Sequence, residues 1–299
     1  MSFAFSQRRH IEQQVRQIAG EQIAKGIKEC RGGTDTFDDV VHGLRRRCKR
    51  LRGLLRLIEP HFDRFDRENK AFRKAANGLS STRDAAVMEE SWSAVVSFDS
   101  KHRSNLAPDL ARTVTDALKS RSEAAAQTEP DKLLGAFREL FEAAQDRAQH
   151  WQVDGKGFGQ LGDGLEKTYR AVRRGLLEAE ESQTPEAFHD WRKVVKYHWH
   201  HVGLFAPAAP AMLKDRKDAL GDLGDLLGDH HNLAVLQETL AEMKAVARGE
   251  TDDVRGAVAA LQQKLGAEAF VLGRQLAAES SSGLRRRFER YWALLPREA

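Results

Sequence analysis

The sequence predicts an all-α protein, and three observations carry the prediction. Ala, Leu, Arg, Glu and Lys are abundant in a chain of 299 residues that has only 7 prolines and 7% aromatic residues. Alanine and unbranched side chains lose little freedom on entering a helix. Apolar residues recur with a helical period along nearly the whole chain, and no convincing strand or hairpin pattern interrupts them. With 41% hydrophobic residues, the chain can bury a sizeable core, as one large domain or two of average size.

Taken in order, an amphipathic helix over 5–30 ends at the glycines of RGGTD. Thr36 or Asp38 caps the next helix, which runs to about Pro60. Further helices are expected near 65–77, 80–98, 104–126 and 130–150. The stretch VDGKGFGQLGDG, residues 153–164, holds five glycines in twelve residues and is the strongest break. After it come helices near 164–181, 185–205, 208–228, 230–248, 252–279 and 283–294.

Two cysteines, Cys30 and Cys48, are too few for a disulfide framework and fit a reducing compartment. The N-terminal MSFAFSQRRHIEQQ lacks the apolar core of a signal peptide. No run approaches the roughly 18 apolar residues of a membrane span. The expectation is a soluble, cytoplasmic protein. Its formal net charge is only +4, from 48 basic and 44 acidic residues. Where the bases lie therefore matters more than how many there are.

The chain repeats itself. FDDVVHGLRRRCKRLRGLLRL in the first half resembles EAFHDWRKVVKYHWHHVGLF in the second. His42 and His189 are 147 residues apart, as are Arg45 and Arg192, and Lys49 and Lys196. NGLSSTRDAAVM (77–88) resembles DLLGDHHNLAVL (225–236), with Leu79 and Leu227 offset by 148. Two segments in the same order at nearly one offset indicate two related helical halves, about 5–150 and 151–290.

In the first copy, seven Lys or Arg lie between Arg45 and Arg56, and no acid appears until Glu59. At about 100° per residue, Lys49, Arg45, Arg46 and Arg56 fall within about 60° of His42, with Arg50 and Arg52 flanking them. Leu44, Leu51, Leu55 and Ile58 lie opposite. Gly53 sits within the basic front, where a missing side chain lets something approach the backbone. In the second copy His189, Arg192, Lys193, Lys196 and His200 share a face, and Trp191, Val194, Val195, Val202 and Phe205 oppose it. Like charges three and four apart repel by a few tenths of a kcal/mol per pair. A strip kept purely basic twice points to an anion. Arg suits bidentate phosphate contacts and Lys acts as a point charge. Several turns of such groups match an extended polyanion better than one phosphate, and no Walker pattern occurs.

These residues resemble the CHAD family, the conserved histidine α-helical domain. HGLRRRCKRLR (42–52) looks like its first signature and HDWRKVVKYHWH (189–200) like its second. LGDLLGDHHNLAVL (223–236) and STRDAAVM (81–88) look like the segments that follow them. The resemblance covers roughly 5–290. It implies two pseudo-symmetric four-helix bundles whose basic helices enclose a central groove or pore that binds inorganic polyphosphate. Carried over by position, the binding face includes His42, Arg45, Lys49, Arg52, His189, Arg192, Lys193 and Lys196. Arg46, Arg50 and Arg56 come from the helical wheel alone, and His200 from its place on the face. Lys74, Arg83, Lys217 and His231 are weaker candidates. The sequence departs from the family pattern at Trp199 and His200, where a basic residue and a tyrosine are usual, and at Asn232, where the family has aspartate. It carries no Glu-x-Glu-x-Lys motif of the CYTH domain often fused to CHAD, so a stand-alone CHAD protein is expected.

The histidines at 198, 200, 201, 230 and 231 raise a metal site, but no HExxH or Cys/His spacing supports one. No nucleophile with its base, acidic metal cluster or nucleotide loop is visible. The expected function is a non-catalytic polyphosphate-binding module without cofactor. Its expected associates are polyphosphate granules or polyphosphate-metabolising enzymes. The alternatives are a nucleic-acid-binding protein, disfavoured because the basic face lacks aromatics for base stacking, and a metal-dependent phosphohydrolase.

Overall fold

The computed structural model describes residues 3–32, 36–79, 84–102, 106–125, 129–243 and 251–298. Among them every regular element is helical. The α-helices are α1 Ile11–Glu29, α2 Phe37–Ile58, α3 Phe65–Asn77, α4 Asp84–His102, α5 Pro108–Ala125, α6 Pro130–Ala148, α7 Gly159–Ser182, α8 Pro185–Phe205, α9 Pro210–Glu242, α10 Thr251–Ala277 and α11 Ser281–Trp292.

The basic helix α2 begins where its sequence says it should. The Thr36 hydroxyl accepts from the Asp39 amide at 3.2 Å, and Asp38 and Asp39 place negative charge in the first turn. Leu44, Leu51, Leu55 and Ile58 are fully buried, each worth roughly 1.5–3 kcal/mol of transfer free energy. The helix α8 starts on the same logic, with Thr184 as cap and Pro185 in the first turn. Around α2 pack α1, α3, α7 and α8, while α8 also packs against α7 and α9. At Gly164 the backbone of α7 reaches α2 so closely that a Cβ would stand 2.0 Å from the Leu57 carbonyl oxygen.

Helices α4 and α5 pack on each other, and α4 packs on α9 and α10. Met88, Trp92, Val95, Leu110, Val114 and Leu118 thereby share a small core with Leu233, Leu236, Val254 and Val258. A much larger core joins the remaining helices.

Three expectations about elements change. The first helix starts at Ile11, not near residue 5. Residues 3–10 instead run across the molecule, burying Phe5 against Phe205 and Trp292. The Phe5 amide donates to the Leu204 carbonyl at 3.0 Å, and that of Arg8 to the Pro296 carbonyl at 2.9 Å. Burying an aromatic ring there outweighs one or two more turns of helix. The helix after the glycine-rich break starts at Gly159 rather than 164; the turn itself is confined to Gly155 and Gly157, both at positive φ. Finally, 208–228 and 230–248 do not form two helices. One 33-residue helix, α9, runs through Gly228, because that glycine serves a neighbour's side chain rather than a turn.

Candidate functional site

Helices α2 and α8 meet at Gly53. A Cβ there would lie 2.7 Å from the His200 Cβ, and His201 donates from Nε2 to the Gly53 carbonyl at 2.9 Å. The glycine in the basic front therefore admits the partner helix and its histidines, not a ligand. Beside this crossing opens a cavity of about 240 Å³. Helix α2 lines it with His42, Arg45, Arg46, Lys49 and Arg52; α8 lines it with Arg192, Lys193, Lys196, Tyr197, Trp199 and His200. No carboxylate is among these side chains. The two basic strips face one space, as their sequence pattern requires.

Carbonyls, an amide and two carboxylates orient these cations. Arg45 donates to the carbonyls of Ala76, at 3.5 Å, and Leu79, at 3.1 Å. At the matching place in the second copy, Arg192 donates from Nε to the Gly224 carbonyl at 3.4 Å. Arg52 donates to Asn69 Oδ1 at 2.9 Å and lies over the Tyr197 ring. Lys196 bonds Asp225 Oδ1 at 2.9 Å and stands over Trp199. Lys193 pairs with Asp190.

The arrangement on α8 depends on α9. A Cβ at Gly221 would meet the Trp199 indole at 3.4 Å, one at Gly224 would sit 2.8 Å from Lys196 Cδ, and one at Gly228 would sit 3.0 Å from Arg192 Nη2. Three glycines thus make a shallow furrow for three side chains of the facing helix. In the sequence, LGDLLGDHH reads as part of a repeated segment and as the boundary between two helices. Its real signal was the spacing of the glycines, which matches Arg192, Lys196 and Trp199 read in the opposite direction.

A model of the CHAD domain matches residues 11–241. The chain belongs to the CHAD-domain family. A solved structure of PptA from Streptomyces chartreusis shares its fold, with a TM-score of 0.64 at 13% identity, over 90% of this chain and 99% of that one. No curated protein matches.

Not every residue read as part of the binding face of this CHAD domain lines the cavity. Arg50 turns aside, bonding Gln22 Oε1 at 3.3 Å and lying over the Phe3 ring, which the non-helical segment ahead of α1 supplies. Arg56 pairs with Glu59 at 3.0 Å and stacks over Phe65 and Tyr197. It lines a second recess of about 580 Å³, which shares Arg52, Lys193 and Tyr197 with the first and adds Arg73, Arg174 and Lys167 but also Glu59, Glu178 and Asp190. His189 meets His231 in a tilted contact, ring centres 4.2 Å apart, and neither lines the cavity. Among the weaker candidates, Lys217 stands over Trp199 and Lys74 is exposed on α3. Arg83 lies outside the described residues.

Two partly buried aromatic residues, Tyr197 and Trp199, line the cavity. Tyr197 was overlooked because it sits one residue from Lys196, at the edge of the wheel's basic sector. Both rings are engaged by cations: Tyr197 by Arg52 and Arg56, Trp199 by Lys196 and Lys217.

Burial decides the histidine charge. His200 and His201 are almost wholly inside, and desolvation, with neighbouring cations, holds His200 well below its ordinary pKa and His201 down at about 3. His200 therefore lines the cavity as a neutral imidazole at neutral pH. Cys30 and Cys48 are pushed up by burial to about 11 and about 12, so both stay protonated thiols. Among the described residues no group of three His, Cys, Asp or Glu is placed to hold a metal, and no helix is long and apolar enough to cross a membrane.

Proposed function

We propose that this CHAD domain binds inorganic polyphosphate along the cleft between α2 and α8, as a targeting or scaffold module without catalysis of its own. One observation carries the reading: two helices from different halves of the chain line one cavity with eight Arg, Lys or His side chains besides His200, and with no acid. A linear polyanion answers such a surface, neutralising it stepwise while counterions leave. The repeat that supplies both strips also supports a pseudo-symmetric groove. Polyphosphate granules or polyphosphate-metabolising enzymes in the cytoplasm are the matching associates.

Tyr197 and Trp199 favour one competing reading, a single-stranded nucleic acid stacked on the rings. Their faces are already covered by cations, which disfavours it. The test is competitive titration of long-chain polyphosphate against single- and double-stranded DNA at two salt concentrations. It uses the wild type and a folded Arg45→Ala/Lys49→Ala/Arg192→Ala/Lys196→Ala variant. Tight polyphosphate binding that DNA does not displace and the variant lacks supports the proposal. Equal binding of DNA, or undiminished binding by the variant, overturns it.

A further inference from the structure

The two sides of the cavity are built from like cations but not from like surroundings. On α2, Arg45 is held by the carbonyls of Ala76 and Leu79, at and just past the end of α3, and Arg52 by the Asn69 amide. On α8, the supporting helix α9 carries Gly-Asp three times, at 221–222, 224–225 and 228–229. Each glycine admits a side chain of α8, and two of the aspartates that follow, Asp225 and Asp229, bring negative charge toward the cations. Lys196 bonds Asp225 at 2.9 Å. Asp229, exposed on α9, follows the Gly228 that admits Arg192; desolvation and the Asp225 carboxylate raise its pKa, against the pull of Arg192 and Lys196. In the first copy the residue that matches Asp225 is Asn77, an uncharged amide.

Asp225 remains 75% exposed, so its pair with Lys196 is a clasp open to solvent and weak enough for a phosphate oxygen to displace. Lys196 is itself held close to α9 by the furrow at Gly224, and so returns to Asp225 whenever the phosphate leaves.

We propose that Asp225, reinforced by the charge of Asp229 one turn away, is an internal competitor for the phosphates, neutralising Lys196 in the empty protein and setting how tightly and how long the α8 side holds a polyphosphate chain. The inference rests on the polyphosphate reading of the cleft. It makes α2 the side of constant grip and α8 the side of release.

The experiment measures the dissociation constant and the release rate of long-chain polyphosphate for the wild type, Asp225→Asn, Asp229→Asn and the double variant at two salt concentrations. Asp218→Asn, on the same helix but paired with Lys214, controls for net charge. Expected is a three- to tenfold tighter Kd for the double variant, carried mainly by slower release, with little change for Asp218→Asn. Unchanged or weaker binding by the folded double variant, or equal tightening by Asp218→Asn, overturns the proposal. An Arg45→Ala/Lys49→Ala variant separates the two readings. If the wild type does not bind, or this variant binds as well, the cleft reading falls and this inference with it. If binding depends on Arg45 and Lys49 but is indifferent to Asp225 and Asp229, the competitor role alone fails.

Discussion

His201 donates from Nε2 to the carbonyl oxygen of Gly53 across 2.9 Å, tying the two basic helices together at the point where they come closest. The bond is fully buried, and the neighbouring His200 occupies the space that a side chain at 53 would need. Like charges on α2 and α8 repel across the cavity; this crossing and the apolar backs of both helices hold them in place. Gly53→Ala should therefore destabilise the protein by about 1–3 kcal/mol through overpacking, although alanine is about 1 kcal/mol the better helix former. Urea unfolding of the variant measures it. A stability equal to or above wild type would mean that the helices separate easily and that Gly53 does not set their approach.

The same histidine predicts how stability depends on pH. With Nε2–H given to Gly53, the proton that charges the ring must go to Nδ1, which is buried and has no hydrogen-bond partner. The folded state holds His201 at about 3, below the unfolded value near 6.5. Between these values the unfolded chain binds more protons, so stability is complete above about pH 6.5 and lost as pH falls. At pH 5.0 this one group removes on the order of 2 kcal/mol relative to pH 7.5. His198 and His200 act in the same direction. His201→Asn, which keeps a donor for Gly53, should flatten the profile. Equal slopes for variant and wild type between pH 5.0 and 7.5 would place the acid sensitivity elsewhere.

Arg46 and Arg50 were both assigned to the binding face by the wheel, and the structure separates them. Arg46 is exposed and lines the cavity; Arg50 is engaged by Phe3 and Gln22. Arg46→Ala should weaken polyphosphate binding and lower the slope of log affinity against log salt by roughly 0.7–0.9, the value of one lost phosphate contact. Arg50→Ala should leave that slope unchanged and lower thermal stability, because it uncovers Phe3. Titration across a salt series distinguishes them; a slope that falls for Arg50→Ala would return it to the binding face.

The contrast between these arginines marks how far the sequence could be read. Periodicity settles which face of α2 is apolar, because burial of Leu44, Leu51, Leu55 and Ile58 depends on spacing alone. The repeat pairs Arg45 with Arg192 and Lys49 with Lys196, and all four line the cavity, but it equally pairs His42 with His189, of which only His42 does. Sequence cannot show that a remote ring, Phe3, captures Arg50, nor that Gly221, Gly224 and Gly228 fit another helix. Local pattern reads Gly228 as a stop, whereas packing makes it room for a neighbour's side chain. The continuous α9 follows from the packing.

That use of glycine can be tested at Gly224. Its missing Cβ leaves room for the stem of Lys196, whose Cδ would lie 2.8 Å from an added methyl. The neighbour is a flexible side chain, so the backbone need not move. Gly224→Ala should raise helix stability by up to about 1 kcal/mol, yet push Lys196 off α9 and out of its place beside Trp199 and Asp225. Stability and polyphosphate affinity should then change in opposite directions, an outcome that simple damage to the fold does not produce. Unfolding and titration on the same preparation report both. If affinity is kept while stability rises, Lys196 finds the phosphate equally well from another rotamer, and the furrow serves packing alone.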